Sequence, residues 1–223
     1  MANRVFVGIW IRDFDDAELL SHFERFLASF PVTAQPPIFL DLTVRAVDPT
    51  EAPVLEHDLR GQLLTPADLI ELARAHDSSD VAIEVNARWD LWIRDMDSVS
   101  WKLRPERLSL SCFGTDYDQG AFAQAGHLMA DIGFEHLFTG HAGLLAPQAT
   151  VTAPEHPEEA RFVRWMSQPQ NLREYHEKTR ENIHKLMEWT AGVERALPVE
   201  RMRLWSEGEE NFEARLDEIL AVR

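Results

Sequence analysis

Alternating apolar and polar residues predict the β-strands of this chain. The clearest run covers residues 80–94, where Val81, Ile83 and Val85 occupy every second position and polar side chains fill the positions between them. Such a period of two places one side of a strand in the core and the other in water. Further strands are predicted at residues 4–12, 38–47, 99–104 and 107–113. Because short turns join 80–94 to the last two segments, this part of the chain is predicted to be a three-stranded antiparallel meander.

Apolar residues three and four positions apart predict amphipathic helices between and after the strands. One helix opens at Asp15 or Asp16 and ends before Pro31. Another begins at Thr65, which suits an N-cap because Pro66 and Asp68 follow it at favourable positions. Residues 126–132 fit either a helix or a strand. The C-terminal part contains predicted helices at 158–168, 170–196 and around Phe212–Leu220, with a short strand at Arg201–Trp205.

Residues 4–15 and 107–118 echo each other at a constant offset of 103 residues. Each segment starts with arginine, continues with alternating apolar residues and ends in an Asp-aromatic-Asp corner. The echo predicts two related strand-helix units. If the two strands are neighbours in the sheet, their acidic corners converge at one end of it.

These elements predict an α+β fold. We expect a largely antiparallel sheet with helices on one face, a weak internal strand-helix repeat and a helical C-terminal segment. The region from Ala146 to Glu159 is rich in proline and lacks periodicity. The predicted organisation is therefore an α+β sheet domain over 1–146, a linker over 147–157, and a mainly helical segment over 158–223 that packs on the sheet domain.

The charge of the chain limits its partners. The net charge is −16, and residues 1–154 contribute −12 of it through 23 acidic and 11 basic residues. Such a surface repels nucleic acid and anionic membranes, so we expect neither as a partner, whereas a basic protein is compatible. The alternative is that acidity only keeps the protein soluble. The single cysteine, Cys112, is expected to be a buried, inert thiol. A lone cysteine and a start without a secretory signal indicate the cytoplasm.

Two acidic corners are candidate sites for a divalent metal ion. They contain Asp13 and Asp15 after the first strand, and Asp116 and Asp118 after its echo. Clustered carboxylates suit Mg²⁺, Mn²⁺ or Ca²⁺. The alternative is structural, since aspartate commonly caps helices and populates turns.

A second candidate metal cluster is rich in histidine. It comprises His127, Asp131, Glu135, His136 and His141, which offer the nitrogen and oxygen ligands that Zn²⁺ and Fe²⁺ use. Their spacing matches no defined metal motif, and the alternative is that these histidines lie in an exposed loop. No cofactor is otherwise predicted.

The polar side of the strand at 80–94 is a candidate protein interface. Its residues form a ladder of charges around one tryptophan: Glu84, Asn86, Arg88, Asp90, Trp92 and Arg94. Exposed tryptophan and arginine are common anchors of interfaces. The alternative is that the C-terminal helices cover this side of the strand.

Two classes of function follow. The favoured one is an acidic interaction protein, of the inhibitor or immunity type, that binds a basic partner. The alternative is a metal-dependent or small-molecule enzyme that uses the aspartate corners or the His127–His141 cluster. The chain contains no phosphate-binding loop, dinucleotide-binding turn or nucleophile elbow to support a nucleotide-dependent or hydrolytic reaction.

Overall fold

The computed structural model describes residues 3–31, 33–95, 100–140, 157–166 and 168–221. The strands are β1 (Arg4–Ile11), β2 (Phe39–Ala46), β3 (Leu55–Asp58), β4 (Val81–Asp95), β5 (Ser100–Phe113), β6 (Leu128–Phe134) and β7 (Val199–Ser206). The α-helices are α1 (Leu19–Ala28), α2 (Pro66–Ala73), α3 (Phe122–Ala125), α4 (His136–Thr139), α5 (Pro157–Met166), α6 (Pro169–Ala196) and α7 (Phe212–Ala221).

The seven strands of the described residues form one antiparallel sheet in the order β3-β2-β4-β5-β6-β1-β7. The C-terminal segment contributes both helices and the edge strand β7, which pairs with β1. The predicted α+β class, with a helical C-terminal segment, is therefore confirmed. Of the predicted linker at 147–157, only Pro157, the first residue of α5, lies within the described residues. Among the described helices, none combines the length and the apolar character of a membrane span.

One face of the sheet carries the hydrophobic core. Every second residue of the central strands is buried there, including Val85, Leu110 and Ala130, and the apolar sides of α1, α2, α6 and α7 belong to the same cluster. Burial of this apolar area is the main stabilising contribution, at about 25 cal/mol per Å². We call this side of the sheet the covered face.

The helix starts follow the local sequence. Thr65 is the N-cap of α2, as predicted. It accepts a hydrogen bond from the Asp68 amide, and the Asp68 carboxylate accepts one from the Thr65 amide, which makes the pair a capping box. Pro169 ends one predicted helix and opens the next, because proline suits the first turn of a helix but not its interior.

One strand prediction is wrong, and one segment that the sequence left open is resolved. β5 is one strand from Ser100 to Phe113 rather than two, since it continues through Pro105. Over residues 100–108, only β4 is paired with β5, and a strand with a free edge tolerates a proline. The ambiguous residues 126–132 contribute mainly to strand β6, and the helix suggested by the echo is reduced to the single turn α3.

The two echoing strands are not neighbours. β6 lies between β1 and β5 and is antiparallel to both, so β1 and β5 run in the same direction. Their registers coincide, because Val7 and Leu110 both lie opposite Ala130, and Ile9 and Cys112 both lie opposite Leu128. The two acidic corners therefore come to the same end of the sheet, although β6 separates the strands.

Candidate functional site

The other side of the sheet presents polar and aromatic side chains to solvent, and we call it the open face. Its members follow from the register of the ladder, because residues directly opposite each other share a face. One row across the strands contains Asp58, Asp41, Asn86, Ser109, Asp131, Phe6 and Trp205. The next row contains Glu56, Thr43, Glu84, Ser111, Met129, Gly8 and Arg203.

The short helix α3 packs over the open face at its β1 corner. A Cβ atom at Gly8 would lie 2.4 Å from the Ala125 carbonyl oxygen, so glycine is needed where α3 crosses β1. Beside this corner, a shallow groove of about 430 Å³ follows β5 and β6. Its lining is mainly polar and includes Arg4, Glu84, Arg107, Ser109 and Asp131.

The half of the open face formed by β3, β2 and β4 is acidic. Asp58 is paired with Arg60 at 2.8 Å, which holds the pKa of that carboxyl at about 2. Asp41 accepts a hydrogen bond from the Asn86 amide at 2.7 Å. Glu56 and Glu84 are exposed, and no ion pair among the described residues includes either of them. Glu84 accepts one hydrogen bond, from the Asn86 side-chain amide at 3.2 Å, and both carboxylates remain accessible to an external cation.

The half formed by β1 and β7 pairs arginine with aromatic rings. The Arg201 guanidinium lies 3.6 Å from the centre of the Trp10 ring, and the Arg203 guanidinium lies 5.3 Å from that of Trp205. Phe6 stacks on Trp205 at 5.5 Å. Cation–π contacts of this kind cover apolar rings that the strands expose.

The predicted ladder on β4 divides into two parts. Glu84 and Arg88 lie on the open face, whereas Asp90, Trp92 and Arg94 are bound within the chain. The Asp90 side chain, at a residue only 9% exposed, accepts hydrogen bonds from the Thr33 hydroxyl at 2.7 Å and the Ala34 amide at 3.0 Å. The Arg94 guanidinium stacks on Trp165 at 3.6 Å, and burial lowers its pKa.

Helix α6 takes the place of a neighbouring strand beside Trp92. β2 ends its pairing at Ala87, which leaves an unpaired edge on the rest of β4. The Asn182 side chain accepts a hydrogen bond from the Trp92 amide at 2.8 Å and donates to the Trp92 carbonyl at 3.0 Å. The Lys178 ammonium group lies 3.7 Å from the centre of the Trp92 ring. Trp92 is therefore bound by helix α6 of its own chain. For this part of the strand, the structure agrees with the alternative prediction, in which the C-terminal helices cover it.

The aspartate corners meet through a structural contact. Asp16 accepts hydrogen bonds from the Thr115 amide at 2.9 Å and the Thr115 hydroxyl at 2.5 Å, which ties the two corners together. Asp15 caps the following helical turn through the Ala17 amide, and Asp116 accepts a hydrogen bond from the Ser79 hydroxyl. The remaining two corner residues, Asp13 and Asp118, are exposed and have positive φ angles of 49° and 45°.

His127, a member of the second predicted cluster, is buried between two aromatic rings. Its imidazole lies between Phe14 and Phe122, with ring centroids 4.0 Å and 4.8 Å away. Nδ1 accepts the amide hydrogen of Ile11 at 3.0 Å, so the side chain continues the β1–β6 ladder where strand pairing ends. Burial lowers the pKa of His127 to about 4, and the neutral ring carries its proton on Nε2.

The other members of the histidine cluster point to separate places. Asp131 pairs with Arg4 at 2.5 Å on the open face, whereas Glu135 accepts a hydrogen bond from the Ser206 hydroxyl. His136 lines a small cleft with Leu137 and Tyr175, and His141 lies outside the described residues. Within the described ranges, no three His, Cys, Asp or Glu side chains are arranged to hold a metal ion. The divalent-metal hypothesis stays a prediction.

Cys112 is fully buried on the covered face, and burial raises the pKa of its thiol. The prediction that this thiol is buried is confirmed. Comparison of the chain with family models, with curated proteins and with solved structures gave no match.

The open face also contains residues that the sequence analysis did not select: Asp41, Glu56, Arg107, Ser109 and Ser111. The sequence does indicate three of them as one side of a strand, because Arg107, Ser109 and Ser111 alternate with the apolar Leu108 and Leu110. What the sequence did not provide was the register that places them opposite β4.

Proposed function

We propose that the protein is an interaction protein, of the inhibitor or immunity type, that binds a basic protein partner through the acidic half of its open face. The observation that carries this proposal is the placement of Glu56 and Glu84. Both are exposed, both lie in one row across β3, β2 and β4, and no described ion pair neutralises them.

The overall charge supports the same partner. A net charge of −16 attracts basic proteins at long range and accelerates their association, most strongly at low ionic strength. In this proposal, the attracted partner then docks on the acidic row formed by Glu56 and Glu84. Because its two carboxylates lie on a sheet rather than on loops, they are held in fixed relative positions before any partner binds.

The test is the affinity for a basic probe, an oligolysine peptide, measured by titration calorimetry at several salt concentrations. The double variant Glu56→Lys/Glu84→Lys is expected to bind about tenfold more weakly, since it removes two carboxylates and adds two like charges. The matched control is Glu188→Lys/Glu194→Lys on the exposed side of α6, which changes the net charge equally.

If the affinity of the probe depends only on the net charge of the protein, both double variants bind it equally weakly. That result would show that the proposed surface is wrong. If the control loses less than twofold, the acidic row is the binding surface. Thermal melting of each variant shows whether the fold is intact before the affinities are compared.

A further inference from the structure

The open face also contains a pair of basic residues. Arg88 on β4 and Arg107 on β5 lie directly opposite each other in the ladder. Like charges at directly opposite positions destabilise an antiparallel pair of strands. This arrangement is notable in a chain with 38 acidic and only 22 basic residues.

No carboxylate of the described chain neutralises this pair closely. The backbone amide of Arg88 donates a hydrogen bond to the Ile38 carbonyl at 2.9 Å, but its guanidinium group takes part in no ion pair or hydrogen bond among the described residues. Arg107 has one carboxylate contact, with Asp41 at 3.7 Å, which is beyond hydrogen-bond distance. Asp131 binds Arg4, and Asp41 divides its carboxylate between the two neighbours, with Oδ1 accepting the hydrogen bond of Asn86 and Oδ2 facing Arg107.

A free hydroxyl lies next to the pair. Ser109 follows Arg107 by two residues on the same face and lines the groove, and its side chain makes no hydrogen bond within the described chain. Arg107 and Ser109 line a groove that is open to solvent, and Arg88 lies opposite Arg107 in the ladder. The two guanidinium groups only donate hydrogen bonds, and the serine hydroxyl can donate one as well. Guanidinium groups bind carboxylate and phosphate oxygens in paired, charge-assisted hydrogen bonds.

We propose that Arg88, Arg107 and Ser109 form a binding site for an oxyanion, the carboxylate or phosphate group of a ligand. The site is separate from the acidic row, since Glu84 lies opposite Ser111 at the other end of the groove. Bound oxyanion offsets the repulsion between the two arginines, which the free protein retains. The proposal does not depend on a basic partner for Glu56 and Glu84.

The test follows the arginine Nε–H signals by NMR while inorganic phosphate, or acetate in a separate titration, is added at constant ionic strength. The signals of Arg88 and Arg107 are expected to shift saturably. Arg88→Lys and Arg107→Lys are each expected to weaken binding about tenfold, because an ammonium group cannot replace the paired guanidinium contacts.

Arg203→Lys is the matched control, since Arg203 is an exposed arginine on the same face but stacks on Trp205. Tighter binding of phosphate than of acetate would assign a phosphorylated ligand, and equal binding a carboxylate. The proposal is overturned if neither anion produces saturable shifts, or if Arg203 responds as strongly as Arg88 and Arg107. The oligolysine titration is a separate experiment, so failure of one surface leaves the other to be judged by its own result.

Discussion

The two faces of the sheet use the same strands for different purposes. Along β5, Leu108, Leu110 and Cys112 are buried against the helices, while Ser109 between them faces solvent on the open side. The covered face specifies one packed core. The open face contains two groups of opposite charge. One is the acidic row of Glu56 and Glu84, and the other is the basic pair of Arg88 and Arg107. One set of alternate residues therefore builds the core, and the other set forms the surface that we propose for recognition.

The largest contrast is expected between adjacent residues of β5. Leu110→Ala should destabilise the protein by about 4 kcal/mol, because it removes a fully buried side chain and leaves a cavity. Ser109→Ala, one position away on the open face, should change the free energy of unfolding by less than about 0.5 kcal/mol. Urea denaturation of both variants measures the difference, and equal losses would contradict the assignment of the two faces.

The next largest effect is expected where α6 seals the edge of β4. Asn182 is 3% exposed and hydrogen-bonds the Trp92 amide, the Trp92 carbonyl and the Leu137 carbonyl. Asn182→Ala leaves these groups unsatisfied and should cost about 3 kcal/mol. Glu188→Ala, exposed on the same helix, is the control and should be nearly neutral. A mild effect of Asn182→Ala would show that the edge of β4 is not sealed by this side chain.

Lowering the pH is expected to have a smaller effect on the free energy of unfolding. The pKa of His127 is about 4 in the folded protein and near 6.5 in the unfolded chain, so the unfolded state binds more protons between these values. Stability is therefore greatest above pH 6.5 and falls as the pH is lowered towards 4. Between pH 6.5 and 5 this one group should account for about 2 kcal/mol.

His127→Asn tests this directly, since asparagine can still accept a hydrogen bond from the Ile11 amide but does not titrate. The variant should have a shallower loss of melting temperature between pH 7 and 5. Some loss should remain, because burial also lowers the pKa values of His22 and His176. An unchanged slope would mean that His127 is not the main acid-sensitive group.

The smallest predicted effect is a gain in stability, whereas most substitutions destabilise a protein. Arg88→Glu should stabilise the free protein by about 0.5 kcal/mol, since it replaces a like-charge pair with an ion pair opposite Arg107. The same change should abolish oxyanion binding. Melting curves at low and high salt measure the gain, which should shrink as salt screens the charges. A destabilised variant would contradict the repulsion inferred between Arg88 and Arg107.

Local patterns predicted the elements well and their arrangement poorly. The period of two in β4 and the capping signals at Thr65 depend on neighbouring residues, so they are visible in the sequence. The position of β6 between β1 and β5 depends on pairing between distant segments, which no local period records. Pro105 is predicted as a turn residue because the sequence does not show which edge of a strand is unpaired. The strand β5 tolerates this proline because only β4 pairs with it there.

The candidate site shows the same limit. The polar side of β4 was found from its alternation, and Glu84 and Arg88 lie on the open face as a wet strand side requires. Asp90 and Trp92 belong to the same alternation, yet the Thr33 loop and α6 bind them. Contacts from remote segments, rather than the pattern itself, decide which part of a polar strand side stays free.

The most direct test of the two-faced sheet is NMR chemical-shift mapping of the backbone amides during titration with oligolysine. The account predicts that the largest shifts occur around Glu56, Thr43 and Glu84, with little change around Glu188 and Glu194 on α6. Shifts centred on the helical side, with the open face unchanged, would contradict the claim that the open face is the binding surface.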